Sequence, residues 1–370
     1  MDKMKILIIG DYSSFGLMLK KGFLQHNIET NLISTGDSWK KIDGSDIKLK
    51  NDVKNLLKKI VIRIYNRYLL YKFIKKKENH YDYILIMNQQ FIGFKLKDRL
   101  RLSFTLEEIK KILSLNGKIY LLACGTDSYY LRAKEKLEYF TYDQMLNLKK
   151  ELEVYLRNEK ELFKEIAGII PTMYDYTLGY KDSIWKSKLT TTVPLAFSVK
   201  EIPYVKNVIK DKIYIFHGII REEFKGTRYI KKAMENIKEK YPDKVEIILD
   251  GNMPLEEYKK ILKRANIIID QCKSYSYGMN ALYGMAMGKV VFSGNEAECR
   301  KEFKREDVPI INIKPNVKDI EGKIEYFVKN PELIFKIGEK SRKFVEEFHD
   351  CEVITSQYLK IFENKEAIDT

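Results

Sequence analysis

Residues 212–227 read KIYIFHGIIREEFKGT, and residues 278–292 read GMNALYGMAMGKVVF. In the first stretch an apolar run, Ile213-Tyr214-Ile215-Phe216, breaks at His217-Gly218 into a polar loop. A helix starts near Gly226, with Ile230, Ala233, Met234 and Ile237 on one face. The second stretch reads as a helix from Gly278 to Met287, stopped by Gly288, and then a strand at Lys289–Phe292. Between them lie a strand at Val245–Leu249, a helix from Pro254 to Leu262, and a strand at Asn266–Ile269 that ends in Asp270-Gln271. Val308–Ile313 is expected to be the last strand. Short buried strands alternating with amphipathic helices predict a parallel sheet covered on both faces, with ligands beyond the carboxyl ends of its strands.

The first half repeats the pattern. Strands are expected at Lys5–Ile9, Ile28–Ile33, Tyr83–Met87 and Lys118–Ala123, with a helix at Leu106–Leu113. The loop Gly10-Asp11-Tyr12-Ser13-Ser14-Phe15-Gly16 leads into a helix and offers backbone N–H groups to a phosphate or sugar, or is an ordinary turn. No GxGxxG fingerprint occurs, so no nicotinamide cofactor is indicated. Other strand ends nominate Asn88-Gln89-Gln90 and Cys124 to Ser128, with Asn88 and Asp127 as acceptor-side candidates. Residues 131–166 read as long surface helices, and Gly168-Ile169-Ile170-Pro171 opens an irregular stretch. The division expected is 1–200, 201–348 and a terminal segment 349–370 that crosses back to the first unit.

The chain has 370 residues and a net charge of +15, which favours anionic company. Its four cysteines, Cys124, Cys272, Cys299 and Cys351, form no metal-binding spacing, so no metal is expected and a reducing, cytoplasmic compartment is. The opening MDKMKILIIG lacks a signal-peptide layout, and no apolar run approaches a membrane span. Residues 54–77, KNLLKKIVIRIYNRYLLYKFIKKK, hold nine Lys or Arg and no acid. Leu57, Ile60, Val61, Ile64, Tyr65 and Tyr68 fall at helical spacing, with Lys59, Arg63 and Arg67 on another face. This suits either an anionic membrane surface or a helix packed on its own sheet. No nucleic-acid module accompanies the basic charge, so nucleic acid is not an expected partner.

Arg221 and Lys225 stand between a strand end and a helix start, where an Arg fork and a Lys ammonium suit a diphosphate. Both are expected to be exposed in an unliganded cleft. Here the runs FHGIIREEFKGTRYI, ILDGNMPLEEY, ANIIIDQ and YGMNALYGMAMGKVV resemble the donor domain of retaining family 4 glycosyltransferases. The resemblance covers about residues 212–300 well and the first half more weakly. It implies the GT-B architecture, α/β with two Rossmann-like doubly wound domains facing across a cleft.

It also implies that Arg221 and Lys225 grip the donor diphosphate and carry the catalysis. Gly10, Ser14, Phe15, Gly16, His217, Gly218, Gly278, Met279 and Asn280 would then surround the donor. The family carries two Glu separated by seven residues, for hexose and ribose; Tyr275 and Tyr283 stand there in this chain. His26 and His80 are read as structural. The implied activity is metal-independent, retaining transfer from a nucleotide sugar to a glycan or lipid-linked acceptor in bacterial cell-envelope polysaccharide synthesis. No cofactor is needed beyond the donor substrate, and the setting is cytoplasmic, peripheral on the inner membrane face. The loss of both Glu leaves a second reading, a non-catalytic GT-B subunit or glycan-binding partner.

Overall fold

A computed structural model describes residues 4–36, 43–50, 56–76, 80–88, 117–142, 162–251, 253 and 255–363. The expected Leu106–Leu113 helix and Gln89-Gln90 lie outside these residues. Apolar strands too short to stand alone pair into two parallel sheets. The first contains β1 (Lys5–Ile9), β2 (Glu29–Ser34), β3 (Ile47–Lys48), β4 (Tyr83–Met87), β5 (Lys118–Ala123) and β6 (Gly168–Pro171), in the order β3-β2-β1-β4-β5-β6. The second contains β7 (Ile213–Gly218), β8 (Val245–Asp250), β9 (Ile267–Ile269), β10 (Val290–Ser293) and β11 (Ile311–Asn312), in the order β11-β10-β9-β7-β8. All pairings are parallel. Each sheet reverses its winding once, between β1 and β4 and between β7 and β9. Those two switch points are where such sheets leave a crevice.

Three expectations need correction. Gly168–Pro171 is a buried strand paired to β5, not the start of an irregular stretch. Four consecutive buried residues need a ladder partner, and the last sheet edge supplies it. Residues 131–142 are not part of a long helix: Ser128–Ala133 is helical, one 3-10 turn follows at Lys134–Lys136, and Leu137 is extended, while residues 143–161 of the expected surface helices lie outside the described residues. Tyr139 and Phe140 are buried there, which draws the chain inward. The last strand is only Ile311–Asn312, because register with Phe292 and Ser293 covers two residues.

The first sheet has two covered faces. One carries Leu7, Ile9, Ile84 and Ile86; the other carries Ile6, Ile8, Leu85 and Met87. The second face belongs to a core that runs on through Phe197 and the Met279–Ala286 helix into the second unit. The chain leaves the first unit near Leu195 and returns at His349, and the two crossings are bonded side by side. Phe197 N–H donates to the His349 carbonyl at 2.8 Å, and Cys351 N–H to the Phe197 carbonyl at 3.0 Å. His349 Nδ1 lies 2.8 Å from the Leu195 carbonyl and Nε2 lies 2.8 Å from the Tyr277 hydroxyl. A ring that donates at Nδ1 and accepts at Nε2 is neutral, and burial holds its pKa down at about 4.

Beyond this crossing the Cys351–Glu363 helix lies against α1 (Phe15–Gln25). Phe362 stacks on Tyr83 at 4.2 Å, and Phe23 meets Tyr358 edge-on at 6.0 Å. The approach is close enough that a Cβ on Gly22 would stand 2.2 Å from the Cys351 carbonyl oxygen.

Candidate functional site

The two crevices are built by short loops with constrained backbones. After β1, Gly10, Ser13 and Ser14 all have positive φ, a rare conformation for serine. The Asp11 carboxylate holds this bend by accepting the Gly16 N–H at 2.9 Å. A Cβ at Gly16 would meet the Gly10 carbonyl at 2.6 Å, so only glycine lets α1 start so near the strand. Phe15 is buried in the core, and the Ser14 side chain stands by Tyr283 of the second unit, whose hydroxyl pKa burial raises and Ser14 lowers. Beside this loop, Asn88 has φ 66 and its amide donates to the carbonyls of Cys124 and Thr126 at 2.7 and 3.1 Å. Asp127 caps the Ser128–Ala133 helix through Tyr130 N–H at 2.7 Å and accepts the Tyr180 hydroxyl at 2.7 Å. Both its oxygens therefore serve the first domain's interior.

At the second switch point, β7 ends in Gly218 and β9 leads into Asp270. Arg221 is exposed, at φ 52, with its guanidinium 4.4 Å from the Phe224 ring centre. Lys225 is not exposed, contrary to the sequence expectation: it is 5% accessible. Its ammonium lies 3.0 Å from Asp270 Oδ1 and 3.5 Å from the Gly218 carbonyl. A buried cation needs such a counter-charge, and the end of β9 supplies one. Asn280 donates to the same Asp270 oxygen at 3.4 Å. Asn280 lies in the first turn of the Met279–Ala286 helix, whose N-cap Gly278 has open space where a Cβ would project.

His217 is wholly buried and bonds the Ile269 carbonyl at 2.8 Å and the Thr227 hydroxyl at 2.9 Å. Burial, reinforced by the Lys225 charge, lowers its pKa to about 4. The ring braces β7 against β9 and the next helix. The structure thus joins Gly218, Lys225, Asp270 and Asn280 at the second switch point, leaves Arg221 exposed on the loop before Lys225, and turns Met279 and His217 inward.

The two tyrosines at the glutamate positions are both engaged by the first domain. Tyr283 is 8% accessible, with Phe197 edge-on at 4.8 Å; burial raises its hydroxyl pKa and the nearby Ser14 side chain opposes this. Tyr275 packs on Tyr139 at 4.8 Å and beside Tyr174 at 6.3 Å, and its hydroxyl accepts the Glu138 N–H at 3.0 Å. Around it, Asp175 accepts the Ser274 hydroxyl and the Tyr275 N–H, both at 3.2 Å, and the Tyr139 hydroxyl donates to Glu296 at 2.6 Å. Burial pushes the Asp175 carboxyl up, against hydrogen bonds from Ser276, Tyr275 and Ser274. Sequence reading missed Tyr139 and Glu296, which sit on loops without periodicity, and Asp175, which sits in the first turn of the short Tyr174–Lys181 helix. Asp270 was visible as a strand end, but nothing in the sequence marked it as the partner of Lys225. Among the described residues no group of three or more His, Cys, Asp or Glu could hold a metal ion. No helix of the described residues is long and apolar enough to cross a membrane.

No protein-family profile matches the chain. No curated protein matches it either. Solved structures do. Sucrose-phosphate synthase from Thermosynechococcus elongatus is similar at a TM-score of 0.62 and 14% identity, over 98% of each chain. A glycosyltransferase from Rickettsia africae gives 0.56 and 14%, over the whole of both chains. Anabaena HepE, solved with UDP and glucose, gives 0.59 and 10%, over 97% of this chain and 99% of that one. These full-length likenesses show the fold: the chain has the GT-B architecture, two Rossmann-like domains facing across a cleft.

Proposed function

We propose that this protein is a glycosyltransferase that moves a sugar from a nucleotide-sugar donor to a glycan or lipid-linked acceptor. The observation that carries the reading is the second switch point. There the Lys225–Asp270–Asn280 cluster sits at the N-terminus of the Met279–Ala286 helix, and Arg221 stands exposed in the loop that leads from β7 to Lys225. Cations, a helix N-terminus and a glycine-ended strand at one crevice form an environment for a diphosphate. In transfer, the bond from the sugar's anomeric carbon to the diphosphate oxygen breaks, a bond to the acceptor hydroxyl oxygen forms, and that hydroxyl's proton passes to the departing diphosphate. Negative charge then grows on the departing diphosphate. Arg221 and Lys225 would offset it, taking the part a metal ion plays in other transferases. The loop Gly10–Gly16, with Asn88 nearby, would face the acceptor side.

The finer assignments follow the resemblance to retaining family 4 enzymes. They are retention at the anomeric carbon, independence of metal, and a place in cell-envelope polysaccharide synthesis at the inner face of the plasma membrane. The test is an incubation of purified protein with sugar nucleotides and lipid-linked or soluble glycan acceptors. The readouts are nucleoside diphosphate release, product mass and the product's anomeric configuration. The expected product keeps the donor's configuration and forms in the presence of a chelator. An inverted product would overturn retention, and loss of activity with chelator would overturn metal independence.

A second reading has its own support. Tyr275 is enclosed by Tyr139, Tyr174 and Glu138, so its hydroxyl does not project into open space as a sugar-binding carboxylate must. A non-catalytic GT-B subunit that binds a glycan or an enzyme partner would tolerate this. It predicts binding of nucleotide or glycan with no turnover on any donor.

A further inference from the structure

The exposed Arg221 guanidinium is held by a ring rather than by an acid. Among the described residues no carboxylate pairs with it, and its Cζ lies over the Phe224 ring, 4.4 Å from the centre. The two side chains meet because Arg221 stands at the cap of the four-residue helix Glu222–Lys225 and Phe224 follows three residues on, one turn away. The backbone beneath them has little freedom. Arg221 and Gly226 both have positive φ, the Cys272 N–H donates to the Lys225 carbonyl at 2.9 Å, and a Cβ on Gly226 would stand 2.5 Å from the Cys272 sulfur. A cation over a ring uses the ring's electron-rich face and leaves its own N–H groups for an anion.

Phe224 is itself held from the opposite domain. The Tyr142 ring meets it at 5.4 Å and 81°, an edge-to-face contact. Tyr142 belongs to the first domain and is anchored there. Its hydroxyl lies 2.5 Å from Thr126 Oγ1 in the loop after β5, and its ring packs edge-on to Tyr130 at 6.3 Å and beside Phe140 at 6.1 Å. The same stretch of chain also meets the second domain at Glu138, whose N–H donates to the Tyr275 hydroxyl and whose carboxylate pairs with Lys314 at 3.2 Å. Arg221, Phe224 and Tyr142 thus form one row from the second domain to the first, with the guanidinium at its end.

We propose that Phe224 and Tyr142 are positioning residues that pre-set the Arg221 guanidinium for the donor diphosphate, Phe224 from beneath it and Tyr142 through Phe224 from across the cleft. The proposal rests on the reading of Arg221 as a diphosphate ligand. A long side chain already held binds an anion better than one the ligand must order. Donor affinity then depends on domain closure, because parting the domains takes Tyr142 from Phe224 and frees the guanidinium. Rings that served packing alone would affect stability without any dependence on Arg221.

Two measurements on the full chain test this. The first is calorimetric titration with uridine, guanosine, adenosine and cytidine diphosphates. With the nucleotide that binds wild type, Phe224→Leu and Tyr142→Leu should each weaken binding about two- to tenfold, the cost of ordering one long side chain. Tyr142→Phe keeps the ring edge on Phe224 and should leave affinity near that of wild type. In an Arg221→Ala background the two Leu substitutions should cost nothing further, since no guanidinium remains to be held. Leu variants with unchanged affinity, or losses that persist in full without Arg221, would overturn the proposal. A cooperative thermal transition in each variant shows that it is folded.

The second measurement needs no nucleotide. It is side-chain NMR with isotope-labelled arginine, in which the Arg221 signal is identified by its loss in Arg221→Lys. Wild type should show a guanidinium restricted in rotation and both Leu variants a freely rotating one; free rotation already in wild type overturns the proposal. A restricted Arg221 in a protein that binds none of the four nucleotides leaves the positioning intact and fails the functional reading. Nucleotide binding that ignores both Leu substitutions fails the positioning alone.

Discussion

The Lys225 ammonium lies 3.0 Å from an Asp270 carboxylate oxygen, with side-chain accessibilities of 7 and 3%. The pair joins the loop after β7 to the end of β9 across the switch point. Lys225 is thus a structural charge as well as a candidate ligand of the donor diphosphate. Lys225→Ala leaves Asp270 buried without its partner, so it should cost about 3–5 kcal/mol of stability. Arg221→Ala, on an exposed side chain, should change stability by less than about 0.5 kcal/mol. Urea unfolding of the two variants checks the contrast.

Arg221→Ala should instead act on ligand affinity. Loss of a charge-assisted hydrogen bond to a diphosphate costs about 1.5–3 kcal/mol, roughly ten- to a hundredfold in Kd. Calorimetric titration with the nucleotide that binds wild type checks this.

Tyr275 supports the domain contact. Tyr275→Phe keeps the ring packing and loses only the bond from Glu138 N–H, for about 1 kcal/mol. Tyr275→Glu restores the residue type that the resemblance leads one to expect, but puts a carboxylate beside Glu138, Glu296 and Glu298. It should lower stability by about 3 kcal/mol or more, or part the domains, rather than improve activity. Thermal unfolding and the radius of gyration in solution distinguish the variants.

Acid should weaken the protein through two histidines. His217 and His349 are both buried with pKa values lowered to about 4, whereas an unfolded histidine titrates near 6.5. The unfolded chain therefore binds more protons between those values, and stability falls as pH drops from about 6.5 to 4. Above about 6.5 the contribution is fully present. The full effect is about 3 kcal/mol for each ring at the acid end. His349→Gln should roughly halve the slope of the urea midpoint over this window.

The terminal helix should be hard to remove. Phe362 is 3% accessible and stacks on Tyr83, so Phe362→Ala should cost about 3–5 kcal/mol. Gly22→Ala drives a methyl into the Cys351 carbonyl and should cost about 1–3 kcal/mol. Chemical denaturation with both variants tests the contact.

The sheets were legible because their strands are short apolar runs separated by glycine-ended loops, as in Ile213–Gly218 and Tyr83–Met87. Periodicity carries that information locally. It failed at Gly168–Pro171, where four residues are too few to set a period and the partner strand lies far back in sequence. It identified the apolar stripe of the Leu56–Lys76 helix but not its direction. Leu70 and Phe73 face the core while Ile60 and Ile64 face outward, and tertiary packing decides between them. In the candidate site, Arg221 and Lys225 could be found from their place between strand and helix. The Asp270 partner and the Tyr139–Tyr275 contact could not, because each joins residues that only the folded chain brings together.

A glycosyltransferase with this cleft would bind a nucleotide-activated sugar and release its nucleoside diphosphate during transfer. The most direct measurement is nucleoside diphosphate release by the full chain across a panel of uridine, guanosine, adenosine and cytidine diphosphate sugars, with extracted membrane glycolipids as acceptors. Release is expected with one nucleotide series, dependent on acceptor and reduced at least tenfold by Arg221→Ala. Binding without release from any donor would contradict transfer and favour the non-catalytic reading, and absence of binding to every donor would contradict the site itself.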